Sequence, residues 1–244
     1  MQTRLKAWKE ATENQTLITF SHKKTKQGHL VESVFELAAV NSKAEMSYLI
    51  QPNGSVKVTH SFDYGGAHDN TEIPRVGLNM QLSLSLENVE WYGRGPHENY
   101  IDRKASAFMG SYRAKVNEMK FDYGRPQENG YRTQTKQLSI TDQDGIGLRF
   151  IGSPEFSFAV HNNTTDDYDD GAWRNSKRKD ALGNPKNSHL NGIKPRDLLN
   201  LNIDYRQMGV GGDNSWGAKP HNQYLIWPKD YTYSFIIQPI IKDK

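Results

Sequence analysis

Ala44-Glu45-Met46-Ser47-Tyr48-Leu49-Ile50-Gln51-Pro52-Asn53-Gly54-Ser55-Val56-Lys57-Val58-Thr59-His60-Ser61-Phe62 is the stretch whose reading decides the fold. Met46, Tyr48 and Ile50 alternate before Pro52-Asn53-Gly54, and Val56, Val58 and His60 alternate after it. Side chains on an extended chain point to opposite faces in turn, so a period of two marks a half-buried strand. Asn-Gly between two such runs supplies the backbone freedom of a hairpin turn. Working outward, further strand candidates lie at 17–20, 30–40, 75–86, 89–92, 130–141, 145–151, 156–161, 199–205 and 231–240, separated by turns rich in Gly, Pro, Asn and Asp. Long 3.6-residue periodicity is absent, and Leu5 to Ala11 is the one candidate for a short helix. Many strands at short intervals predict an all-β fold, a large antiparallel β-sandwich of stacked sheets.

The spacing predicts a single domain over residues 1–244, interrupted by an extended loop at 166–195. That loop is charged and turn-rich, with Asp166-Asp167-Tyr168-Asp169-Asp170, Lys177-Arg178-Lys179 and Gly183-Asn184-Pro185. A stretch this long without strand or helix pattern is a functional loop or an insertion.

Composition narrows the function. Basic residues number 31 and acidic residues 28, a net charge of +3, which gives no basic excess to drive nucleic-acid binding by counterion release. With no cysteine, disulfides and thiolate metal sites are excluded. No apolar run reaches the roughly 18 residues of a membrane span, and Met1 to Lys9 lacks the apolar centre of a signal peptide. The expectation is a soluble chain with no nucleic-acid or membrane partner.

The local chemistry is sparse. The Asp166 to Asp170 cluster fails the EF-hand template, because Tyr168 stands at the third position and Lys177 where a bidentate Glu belongs, so it reads as a solvated acidic loop. No histidine has another within six residues, so no local metal pair is present and no metal site is expected. Gly93-Arg94-Gly95 and Gly209 to Gly212 lack the spacing of a phosphate cradle, and there is no G-x-S-x-G elbow.

Three stretches are denser. Met208-Gly209-Val210-Gly211-Gly212-Asp213-Asn214-Ser215-Trp216-Gly217 carries glycines that allow positive φ and close backbone approach. Asp213 and Asn214 can bond the backbone of such a turn. Trp216 at its end either plugs the core or presents an indole to the apolar face of a sugar; by residue type alone the buried reading leads. Trp91-Tyr92-Gly93-Arg94-Gly95-Pro96-His97-Glu98-Asn99-Tyr100-Ile101-Asp102-Arg103 is either a ligand-facing loop or a surface loop in which Glu98, Asp102, Arg94 and Arg103 pair with one another. Tyr123-Gly124-Arg125-Pro126-Gln127-Glu128-Asn129-Gly130-Tyr131-Arg132 reads as a turn clamped by its own charges.

Taken in order, these stretches resemble the C-terminal small-chain domain of the large β-galactosidases of glycoside hydrolase family two. The resemblance runs through Ile73-Pro74-Arg75-Val76-Gly77-Leu78-Asn79-Met80, Val89 to Arg103, Pro126 to Arg132 and Met208 to Trp216, and extends from about Trp8 to the final strand. It implies the supersandwich fold shared with galactose mutarotase. It also implies an enzyme that hydrolyses terminal β-galactosides such as lactose with retention, which needs two carboxyl groups about 5–5.5 Å apart. In the family both glutamates lie in a TIM-barrel domain earlier in the chain, and the magnesium and sodium of the parent enzyme also belong to other domains. No catalytic residue and no cofactor is therefore expected in this chain, and the chain alone is expected to be inactive.

The resemblance reverses the order of readings for Trp216, which becomes an aromatic platform for the galactoside, supported by Asp213 and Asn214. Gly95, His97, Glu98, Asn99 and Arg103 fall in a mobile loop beside the same site. The expected partners are the galactoside, the preceding TIM-barrel and sandwich domains, and a second copy in a homo-oligomer; the parent enzyme would be cytoplasmic or periplasmic. The family's sandwich domain begins upstream of the point matching Trp8, so the fold is expected to be N-terminally truncated and to expose a strand edge able to pair with another chain. The 174–191 region is longer than in the family, and no role is carried onto it.

Three rival readings stay open. A free-standing carbohydrate-binding module would use Trp216 and the 95–103 loop unaided. A mutarotase-type aldose epimerase would need a general base and acid, with Glu98 beside His97 as the candidates. A separate small subunit of a split β-galactosidase would differ only in genetic origin.

Overall fold

The structure, a computed structural model, describes residues 5–66, 71–124, 126–169, 193–214 and 217–242. Eleven strands make an all-β, antiparallel sandwich: β1 (Thr16–Lys24), β2 (His29–Leu37), β3 (Ser42–Ile50), β4 (Val56–Asp63), β5 (Arg75–Leu82), β6 (Asn88–Gly95), β7 (Phe108–Lys115), β8 (Arg132–Thr141), β9 (Gly147–His161), β10 (Leu199–Gln207) and β11 (Tyr231–Ile240). The ladder runs β1-β2-β3-β4-β11-β9-β8-β6-β7, and β10 adds to β9 and carries β5 on its other side. Among the described residues β1, β5 and β7 each have one partner, so the sheet does not close.

The hairpin read from the sequence is β3–β4, joined at Ile50↔Val56. Gly54 sits at φ +81°, Gly54 N donates to Gln51 O, and Asn53 Oδ1 accepts from Ser55 N. The predicted helix is α1 (Lys6–Glu13), which buries Trp8 and Ala11. Trp8 meets Phe62 edge-on at 6.0 Å, fixing the helix over the β4 side of the sheet.

β9 is one strand where the sequence suggests two. Its first half, Gly147 to Ser153, pairs with β11, and its second half, Ser157 to His161, pairs with β10. Pro154 has no N–H for the ladder, and Gly152 lets the chain fold close upon Glu155, where a Cβ would lie 2.6 Å from the Glu155 Cα. The strand therefore bends there and passes from one layer into the other. β7, also unforeseen, has no fully buried side chain, but Gly110, Tyr112 and Ala114 alternate with exposed residues, and Tyr112 and Ala114 pack against the core.

The core lies between the layers. On β10, Leu199, Leu201 and Ile203 are fully buried against Phe156, Phe158 and Val160 of β9, Trp91 of β6, Leu138 and Ile140 of β8, and Phe235 of β11. The opposite face of β10 carries Asn200, Asn202 and Asp204, and these are buried too. A strand of alternating character with both faces buried requires loops over its polar side. The segments 126–131 and 163–169 supply that cover: they line a cavity with Asn202, and Glu128 reaches Asp204 through Arg75.

Candidate functional site

The 95–107 segment is fastened from its middle. Asn99 is fully buried; its Oδ1 accepts from Thr133 N at 3.0 Å and from Thr133 Oγ1 at 2.6 Å, and its own N–H donates to Tyr131 O. Tyr100, also fully buried, stacks on Tyr131 at 5.6 Å. Arg103 lies over the Tyr100 ring at 4.7 Å, and the two residues exchange backbone hydrogen bonds.

Glu98 is filled by neighbours. Its carboxylate accepts from Arg103 Nη2 at 2.6 Å, from Gly130 N at 2.7 Å and from the Tyr123 hydroxyl. His97 turns elsewhere, with Nε2 at 3.0 Å from Ser106 Oγ. The two candidates for an acid–base pair therefore do not face one another, and the carboxylate that would act as base is a fastening between two loops. Arg94 binds Gln134 and the carbonyls of Lys104 and Ala107, not the acids foreseen for it.

The glycine loop is fixed at its root. Met208 N donates to Pro74 O, Gly209 N to Tyr224 O, and Gly211 N to Asp102 Oδ2 at 2.7 Å. Close approach is what these glycines provide. A Cβ on Gly209 would lie 2.6 Å from Asp102 Oδ2, and one on Gly212 2.3 Å from Ala218 O. Positive φ in this loop occurs at Gly217 and not at 209, 211 or 212. Asn214 Oδ1 accepts from Ala218 N at 3.4 Å, and Asp213 pairs with His221 at 2.8 Å. Ser215 and Trp216 lie outside the described residues, as do Arg125 and residues 170–192 of the 166–195 loop.

Beside these loops sits a charged cluster that the sequence reading missed. Arg75 at the start of β5 donates through Nη2 to Glu128 at 2.9 Å and to Gln207 at 2.6 Å, and its Nε is 3.4 Å from Asp204. Asp204 is 0% exposed, and burial pushes its pKa up to about 7 although Arg75 pulls the other way. Burial likewise raises Glu128, against the pull of Arg75. Burial opposes the Arg75 charge, but Asp204 and Glu128 outweigh it and hold the guanidinium protonated. In the sequence Asp204 reads as the solvent side of β10, because the loops that cover it come from distant segments.

The cluster borders a cavity of about 210 Å³ lined by Glu128, Asn129, Ala159, His161, Thr165, Tyr168, Asp169 and Asn202. His161 has its pKa pushed down to about 4 by burial, so it is neutral at pH 7, and Nε2 donates to Asn129 O at 3.1 Å. The acidic run beside it is paired: Asp167 binds Arg196 in a fork, and Lys9 reaches Asp166 at 3.2 Å and Asp169 at 3.7 Å. Among the described residues no group of three or more His, Asp or Glu side chains converges as a metal site would.

An all-β sandwich whose loops build a polar face, with a glycine loop clasped by a carboxylate, is the class that fold and site define. The family model described as "Beta galactosidase small chain" matches residues 2–237. The chain belongs to that family. Curated relatives named β-galactosidase include those of Priestia megaterium, 31% identical over 84% of this chain, Vibrio cholerae, 32% over 85%, and Lactococcus lactis, 29% over 92%. This chain spans 18%, 18% and 19% of their respective lengths. A solved aldose epimerase homologue from C. elegans superposes with a TM-score of 0.43 at 8% identity, covering 93% of this chain and 70% of that one. No helix among the described residues is long and apolar enough to cross a membrane.

Proposed function

We propose that the chain works as the small-chain part of a retaining β-galactosidase that hydrolyses terminal β-D-galactosides such as lactose, and that it supplies substrate contacts while the catalytic glutamates lie elsewhere. The observation that carries this reading is a family match over residues 2–237 in a chain that spans 18% of the length of β-galactosidases. The remaining length of such an enzyme accommodates a TIM barrel and further sandwich domains, together with their magnesium and sodium. Trp216 is the aromatic platform for the sugar, with Asp213 and Asn214 supporting its loop. Gly95, His97, Glu98, Asn99 and Arg103 border the same site. The Asp102–Gly211 hydrogen bond is consistent with this role, because a stacking platform needs a loop held at a fixed height. A homo-oligomer is part of the same reading.

Hydrolysis of nitrophenyl β-galactoside by the chain alone, and by the chain mixed with a barrel-containing polypeptide, tests it. Activity in the mixture alone, weakened by Trp216→Ala, is the expected result. Hydrolysis by the purified chain alone would overturn it.

A further inference from the structure

The polar face of the β5–β10–β9 layer presents one donor and one acceptor that no described residue engages. Asn202 is 5% exposed; its Oδ1 accepts from Asn79 Nδ2 at 2.7 Å, and its own Nδ2 forms no hydrogen bond among the described residues. His161 is 6% exposed; Nε2 is committed to the Asn129 carbonyl, so Nδ1 of the neutral ring is an acceptor, and it too is without a partner. Both residues line the cavity of about 210 Å³. Neither atom is shut away from solvent, so both open onto the cavity, where a donor and an acceptor stand available to a ligand.

We propose that this cavity is a binding site for an uncharged polyhydroxy ligand, one ring of a sugar. A hydroxyl gives and takes a hydrogen bond at once, which matches the bare Nδ2 donor of Asn202 beside the bare Nδ1 acceptor of His161. Thr165 adds a hydroxyl to the wall. Glu128, with 28% of its side chain exposed, adds a further oxygen. Tyr168 sets a flat ring against His161 at 5.2 Å, a surface for the C–H face of a sugar. The charges argue for a neutral occupant: the Arg75 cation is already matched by Asp204 and Glu128, and the Asp169 carboxylate of the wall by Lys9 at 3.7 Å, which leaves no strong field of either sign to hold an ion. The volume is several times the roughly 30 Å³ of a single water. None of the lining residues belongs to the 208–214 loop, so the site goes beyond the function proposed above.

The test is a titration of the 244-residue chain with galactose, glucose and lactose, followed by NMR at the His161 ring and the Asn202 amide. Saturable shifts at both are expected, with the monosaccharides separating a free-sugar site from one that takes the end of an oligosaccharide. Asn202→Asp, nearly the same shape with an acceptor in place of the donor, is expected to weaken binding about tenfold, the worth of one hydrogen bond. Thr165→Val, a milder change, is expected to weaken it as well and serves should Asn202→Asp not fold. Trp216→Ala is expected to leave it unchanged. No saturable response to any of the three sugars overturns the proposal. So does a response that survives both cavity variants, or one abolished by Trp216→Ala, which would assign binding to the glycine loop.

Discussion

The Asp102 carboxylate accepts the backbone N–H of Gly211 at 2.7 Å, joining two loops that lie 109 positions apart in sequence. The contact has no slack. Its geometry explains why glycine stands at 209, where a Cβ would come within 2.6 Å of the same carboxylate oxygen.

Gly209→Ala should therefore destabilise the chain by about 1–3 kcal/mol, the usual cost of forcing a methyl into a packed site. Asp102→Ala should cost a similar amount, about 1.5–3 kcal/mol, through loss of a hydrogen bond to a charged acceptor. Urea unfolding monitored by tryptophan fluorescence measures both. A Gly209→Ala variant as stable as the parent would refute the close-approach account.

The stability profile with pH should show the buried Asp204. Its folded pKa is raised from 3.8 to about 7, so between those values the folded chain holds a proton that the unfolded chain has released. Stability from this group is fully present below about pH 4 and is lost as pH rises through 7, with a slope of at most about 1.4 kcal/mol per pH unit. Subtracting the urea-stability curve of Asp204→Asn from that of the parent should leave this falling component. A flat difference would mean that Asp204 stays ionised.

His161 should behave in the opposite sense. Its pKa is lowered from 6.5 to about 4, so protonation of the unfolded chain lowers stability as pH falls below 6.5. Carbon-13 shifts of its ring should remain those of a neutral imidazole down to pH 5. A midpoint near 6.5 would show that the ring is open to water.

Phe158 is fully buried beneath Trp91, its ring 5.9 Å away edge-on. Phe158→Ala should cost about 3–5 kcal/mol, because β9 at that point cannot collapse into the space left. Thermal unfolding would reveal it as a large drop in midpoint.

The strands were readable where one face is wet. On β3 the alternation tracks burial only in the first half, where Ala44 and Met46 are buried and Lys43 and Glu45 exposed; Tyr48 and Ile50 of the same face are exposed, and Asn53-Gly54 marks the turn. β9 was read as two strands because Pro154 interrupts the pattern, although the ladder resumes beyond the bend. β7 was missed because its inner face is mostly small: Gly110 and Ala114 flank Tyr112, which leaves a weak apolar signal in the sequence. The glycine loop was legible from composition, but its clasp was not, since nothing in sequence brings Asp102 to Gly211. The Arg75, Glu128, Asp204 cluster was hidden for the same reason: the sequence suggests Glu128 clamping its own turn, whereas distant strands bring it to Arg75 and Arg75 to Asp204.

The position of β11 has a consequence for synthesis. It lies between β4 and β9, pairing Tyr231 with Phe62 across 169 positions, and among the described residues it is the one ladder link between β1–β4 and the other strands. On the ribosome the first four strands can meander together early, but they must wait for the last strand before joining the rest. Such long-range pairing is slow and leaves strand edges open in the meantime. A nascent chain stalled before Tyr231 would hold two separate half-sheets, each with an open edge where β11 belongs.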